Sequence, residues 1–203
     1  MRTLCLILMA ATLAACGSSP EPGPAQPDKA AQQQEIREIF QKAAALPDRA
    51  YEDLERLYLQ AIECCPDTSR VHEAYRLLYN LYMYGYGATH TIPAQQLCEE
   101  YLVRYQGRKA PMRLEMQNHL LSLYDQLYEY AKLAALYDQL FARGYDAFPL
   151  SQPAAHAYSY AQALEKTERF RDAQIWYHQA LLHSTPGDFL HGLAEEALAR
   201  LDT

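Results

Sequence analysis

Reactive side chains are few in this 203-residue chain, and their spacing argues against catalysis. A thiol can carry lipid or form a disulfide, and the five cysteines are Cys5, Cys16, Cys64, Cys65 and Cys98. Cys64 and Cys65 fall near the end of one predicted helix and Cys98 near the start of another that should run parallel to it. That offset works against the close Cα approach that a bridge from Cys98 to either of them needs, so small buried residues at helix contacts are the expectation. The seven histidines are scattered. His178 and His183 are five residues apart, about 140° around a helix, and do not present a metal from one face. The adjacent acids Glu99-Glu100 and Glu195-Glu196 point apart on a helix and read as solvated faces. No phosphate-cradling glycine loop, zinc-binding His-Glu pattern or nucleophilic serine between glycines is present. The sequence therefore predicts no catalytic residues, no metal and no cofactor: not an enzyme.

Charge and composition narrow the remaining classes. With 25 acidic against 18 basic side chains the chain carries a formal charge of −7, opposite to the positive surface that displaces counterions from nucleic acid. Half of the residues are apolar, too many for a wholly disordered chain. Seventeen tyrosines against eight glycines disfavour a strand-and-turn architecture.

Three regions are expected: residues 1–15, 16–34 and 35–203. The first is an apolar run, Leu4 to Ala11, behind the single charge of Arg2, well short of the roughly 20 residues of a membrane span. Its ending, Leu13-Ala14-Ala15-Cys16, resembles the bacterial lipobox, which implies a lipoprotein signal peptide and lipidation at Cys16. Gly17 is unlike the aspartate of the inner-membrane retention pattern, so the resemblance implies an outer-membrane anchor on the periplasmic face. Residues 16–34 are rich in Pro, Ala and Gln with no large apolar side chain, and read as a flexible tether.

Beyond the tether, apolar residues recur at helical spacing. The breaks at Pro47, Pro66, Gly107, Gly144 and Pro149 divide the chain into helix pairs at 32–46 and 48–64, 69–84 and 92–105, 111–126 and 129–143, and 153–167 and 169–184. An aromatic recurs in the second helices at Tyr58, Tyr101, Tyr137 and Tyr177, at intervals of 43, 36 and 40. Phe170-x2-Ala173-x3-Tyr177-x2-Ala180, with Tyr160-Ala161-x2-Leu164 before it and Pro186 after it, resembles the tetratricopeptide repeat (TPR). So does Tyr51-x2-Leu54-x3-Tyr58-x2-Ala61-x4-Pro66. Leu54, Leu97 and Leu133 depart from the family's alanine, and Gly85 to Thr91 is an enlarged turn. The resemblance implies an all-α fold: a right-handed α-solenoid of about four TPR-like helix pairs plus a C-terminal capping helix from Pro186 to Leu201.

In that family the first helices line a groove. With Tyr75, Leu78, Tyr79 and Tyr82 facing the packing, Arg76 and Asn80 point to it, followed by Asn118 with Ser122 and Asp125, then Tyr158 and Gln162. Arg76 and Asn80 are similar to part of the family's carboxylate clamp, whose remaining basic positions are missing. Tyrosine excess has two readings, a phenol at helix contacts with its hydroxyl at the rim, or a recognition surface. The first suits most positions; the loop with Tyr84, Tyr86 and His90 is the candidate for the second. The expected function is a lipid-anchored periplasmic scaffold or adaptor that binds envelope proteins, assisting assembly of an outer-membrane, secretion, pilus or cell-wall complex. The alternative is an envelope protein that binds exported peptides or peptidoglycan fragments, and a third class would use Cys64-Cys65 in thiol chemistry.

Overall fold

The computed structural model describes residues 28–47, 49–108, 110–142 and 152–202. The leader, Cys16 and most of the tether lie outside the described residues. Among those described there are nine α-helices and no strand: the protein is all-α. They are α1 Lys29–Ala44, α2 Tyr51–Cys64, α3 Arg70–Asn80, α4 Thr91–Arg104, α5 Arg113–Gln126, α6 Tyr130–Phe141, α7 Pro153–Lys166, α8 Phe170–Leu182 and α9 Phe189–Leu201. No helix among the described residues is long and apolar enough to cross a membrane.

The helix boundaries follow the breaks in the sequence except at the starts of the two helices of the first unit and at the enlarged turn. α1 begins at Lys29, inside the stretch expected to be tether, so 29–34 are helical. The Asp28 carboxylate accepts a hydrogen bond from the Ala30 N–H at 2.9 Å, and Ala30 to Gln34 are good helix formers. Capping and propensity extend the helix ahead of its apolar stripe, Ile36, Ile39 and Ala43, and bury Gln32 as well. α3 ends at Asn80 and continues through a single π-helical turn, Leu81–Gly85, in which the Tyr86 N–H donates to the Leu81 carbonyl. A 3-10 turn, Gly87–His90, then leads into α4.

Each helix packs on its neighbours in sequence, and α9 rests on both α7 and α8. Where helices cross closely the side chains are small: Ala61, Ala74, Ala94, Ala157, Ala161, Ala173 and Ala180 are all fully buried. Large rings fill the wider spaces, with Tyr75, Tyr101, Tyr137 and Tyr177 fully buried among Leu78, Leu120, Leu133 and Leu164. Of the four recurring aromatics, Tyr101, Tyr137 and Tyr177 are core residues, whereas Tyr58 is half-buried beside Phe40.

Two hairpins close with the same turn. At the end of α5 the Tyr128 N–H donates to the Asp125 carbonyl and the Glu129 N–H to the Tyr124 carbonyl. At the end of α7 the Glu168 N–H donates to Glu165 and the Arg169 N–H to Leu164. In each the residue past the helix is left-handed, Tyr128 at φ 58° and Glu168 at φ 62°, the geometry of a Schellman stop. The two turns are 40 residues apart, the interval that separates Tyr137 from Tyr177.

Candidate functional site

Buried phenols need partners for their hydroxyls, and this chain supplies them in a repeated way. Tyr75 donates to Glu100 at 2.9 Å, and Arg104 pairs with the same carboxylate at 3.0 Å. Tyr124 donates to Glu99 at 2.9 Å, with Lys132 at 3.1 Å. Tyr160 donates to Asp138, which Arg169 holds at 2.7 Å. Tyr177 donates to Glu165 at 2.7 Å, with Arg200 at 2.9 Å. Four tyrosines thus share one arrangement, a ring in the core, a carboxylate at the rim and a base outside it. Burial first, then the adjacent carboxylate, pushes each of these phenols above its ordinary range, so the hydroxyls stay protonated donors. Burial works against the carboxylates of Glu99 and Asp138, but their hydrogen bonds to the tyrosine and the base hold both below the usual range.

The enlarged turn departs from this pattern. Tyr82 and Tyr86 both donate to Glu55 of α2, at 2.8 and 2.7 Å. No base pairs with Glu55 among the described residues. His90 stacks on Tyr86 at 4.1 Å between centroids and also faces Tyr82 at 6.0 Å, while Tyr51 meets Tyr86 edge-on at 5.6 Å. Burial and then the Glu55 hydrogen bond push the Tyr86 hydroxyl up to about 12. Tyr84 alone points outward, 79% exposed. The loop residues therefore divide: Tyr86 and His90 hold the turn together, and Tyr84 is the one available to a partner.

The second open feature is a trough of about 310 Å³ between α5 and α7. One wall carries Asn118, Leu121, Ser122 and Asp125, and the other Gln152, Ala155, His156 and Ser159. Its floor is anchored by Tyr137, whose hydroxyl lies 2.9 Å from His156 Nδ1. Burial pushes the Asp125 carboxyl above its usual range and the His156 imidazole below. The arrangement offers amide, hydroxyl, carboxylate and imidazole groups along one open face.

The residues picked out from the sequence distribute unevenly over these features. Tyr75, Leu78, Tyr79 and Tyr82 are buried as the helical stripe required, which leaves Arg76 and Asn80 exposed. Asn118, with Ser122 and Asp125, lines the trough. Tyr158 does not: it turns toward α8, its ring 5.5 Å from that of Tyr177. Gln162, half-buried, also lies outside the trough lining, and the α7 wall is built instead by His156 and Ser159. The signal for those two was the helical face through Ala155 and Ser159, set one position beside Tyr158.

The cysteines resolve differently from any pairing with Cys98. Cys98 is a buried free thiol, pushed up to about 12 by burial, while Cys64 and Cys65 are joined to each other as a vicinal disulfide. This adjacent pair is the one that the third functional class would use in thiol chemistry.

Among the described residues the fold is all-α. Compared with protein-family models, curated proteins and solved structures, the chain has no match.

Proposed function

We propose that this chain is a lipid-anchored periplasmic scaffold of a bacterial envelope, a TPR-like α-solenoid of about four helix pairs capped by α9. In this reading it holds an envelope protein by an extended segment seated between α5 and α7. The single observation that carries it is the trough. Two helices separated by one intervening hairpin partner, α5 and α7, present polar side chains to the same open space, and Tyr137 of that partner closes its floor. The matching turns after α5 and α7, 40 residues apart, support a repeat of that length, and sequential packing of the helices agrees with a stack. Anchoring rests on the lipobox resemblance at Cys16, and Cys16→Ser is expected to release the protein from the membrane fraction.

The test is in-cell crosslinking from a photoreactive residue placed at Ser159, with and without Asp125→Lys. Capture of one envelope protein, lost in the variant, is the expected result. Absence of any protein partner, with the domain instead sedimenting on purified cell wall, would replace the scaffold by the ligand-binding alternative.

A further inference from the structure

The first helix pair carries a group of donors that neither the trough nor the enlarged turn uses. Glu35 stands on α1, and Cys64 and Cys65 end α2; the two sulfur atoms and a Glu35 carboxylate oxygen all lie within 4.8 Å of one another. From this juxtaposition we propose that Cys64 and Cys65, once reduced, form with Glu35 a three-donor site for a thiophilic divalent cation of the zinc class.

The donor chemistry suits that class. Zinc takes thiolate sulfur and carboxylate oxygen in tetrahedral sites, and three protein ligands leave the fourth position to water. With metal–sulfur bonds of about 2.3 Å and metal–oxygen bonds of about 2.0–2.2 Å, ligand atoms sit roughly 3.6–3.8 Å apart. The three donors already converge within 4.8 Å of one another, and once the Cys64–Cys65 bond is broken the two sulfurs are free to part to that spacing by side-chain rotation. The site is graded in depth: Cys65 is fully buried with its sulfur 3.4 Å from the Gln32 carbonyl oxygen, Cys64 is half-buried, and Glu35 is exposed. A cation reaches it from the Glu35 side. Cys98, buried on α4, is held as a thiol and serves as an internal control.

The disulfide and the metal complex exclude each other. A dithiol reductant supplies two electrons and two protons to the Cys64–Cys65 bond and becomes a disulfide itself. The two thiols then lose two protons as the cation binds both sulfurs and the Glu35 carboxylate. The bound ion ties α1 to the end of α2, a link absent from the oxidised chain, so it stabilises the folded form.

The experiment uses the full chain, reduced by a phosphine, titrated with Cd2+ as an optical probe of thiolate ligation. One equivalent is expected to bind with a sulfur-to-cadmium charge-transfer band and release of two protons, and Zn2+ is expected to raise the unfolding temperature of the reduced chain. The unreduced chain gives no band. Cys64→Ser abolishes it. Glu35→Gln changes an exposed residue and leaves the fold intact, yet weakens binding by roughly tenfold or more, at least the loss typical of a supporting residue beyond the ligands. Cys98→Ser leaves the titration unchanged. No band after reduction, unaltered affinity in Glu35→Gln, or loss of the band in Cys98→Ser would each overturn the site.

Discussion

The hairpins α7–α8 and α3–α4 occupy comparable places in the chain order and solve the same closure problem in opposite ways. α7 stops within three residues through the left-handed Glu168, and the two helices lie along most of each other's length. α3 instead runs into a π turn and a 3-10 turn, and α3 and α4 touch along much less of theirs. In the first hairpin the core rings end in carboxylates neutralised by Arg169 and Arg200; the second has one such set in Tyr75, Glu100 and Arg104, but at its turn two phenols share Glu55 without a base among the described residues. Backbone hydrogen bonds and small-residue contact hold the regular hairpin. Side chains reaching back to the preceding helix hold the irregular one. The longer connection is thus closed with the help of aromatic side chains, and Tyr84 stays on the surface.

The largest test addresses the regular hairpin. Leu164 is fully buried, and its carbonyl accepts the bond that closes the turn. Leu164→Ala is expected to cost about 2–5 kcal/mol of global stability, read by denaturant unfolding, with the midpoint falling and the slope unchanged. A change confined to α7 and α8 in hydrogen exchange would instead show that the hairpin is an independent unit, breaking the contrast with α3–α4.

The matching test on the irregular hairpin is Glu55→Ala. It strands the Tyr82 hydroxyl, whose residue is buried, at a cost of about 1–3 kcal/mol. Because Tyr86 donates to the same carboxylate and His90 stacks on Tyr86, exchange of the 81–90 amides is expected to accelerate far more than that of α7. Uniform acceleration would mean that side chains do not hold this turn locally.

A smaller effect separates the junctions by pH. His72, His119 and His156 each sit between helices, against Tyr101 and Tyr105, Tyr79, and Tyr137, and burial lowers all three from 6.5. A base whose folded value is lowered binds its proton more readily when unfolded. Its contribution to stability is present above 6.5 and is lost as the pH falls from there through the folded value. Asp125, raised by burial, acts in the opposite sense nearer the carboxylate range. The unfolding temperature is therefore expected to fall between about pH 7.5 and about pH 5.5, and His119→Gln to flatten that slope. An unchanged slope would remove His119 from the acid-sensitive set.

Helices and core were legible because they depend on spacing that a sequence displays. The 3.6-residue stripes, the breaks at Pro47 and Pro66 and the recurring Tyr101, Tyr137 and Tyr177 all mark what the structure buries. The misses share a different cause. The break between 167 and 169 is legible, but its left-handed backbone is not, since Glu168 is no glycine; the start at Lys29 depends on one cap and on propensity, without an apolar stripe. Tyr158 reads as a groove residue by its polarity and place on a first helix, yet its ring packs on that of Tyr177, a contact across helices that spacing does not display. Which donors meet across α1 and α2, as Glu35 meets Cys64 and Cys65, depends on the crossing of two helices and leaves no trace in spacing.

The smallest effect has the sharpest sign. Glu168 is exposed at φ 62°, where a β-carbon costs about 1–2 kcal/mol against the neighbouring carbonyl. Glycine removes that cost but brings a freer unfolded chain, a penalty of roughly 0.4–1 kcal/mol. The difference leaves Glu168→Gly stabilising by up to about 1.5 kcal/mol, an increase of a few degrees in unfolding temperature. The chain already uses glycine this way at Gly187, φ 94°, where Gly187→Ala is expected to destabilise although a β-carbon meets nothing within 4 Å. The same substitution at Gly85, in the irregular hairpin, acts through a different cause. There the backbone is not left-handed and the new β-carbon lies 2.8 Å from Leu81 Cδ1, so the cost is a clash that Leu81 can relieve by rotating. If Glu168→Gly lowers stability, the tight turn is held by the Glu168 side chain after all, and the regular hairpin closes by the same means as the irregular one.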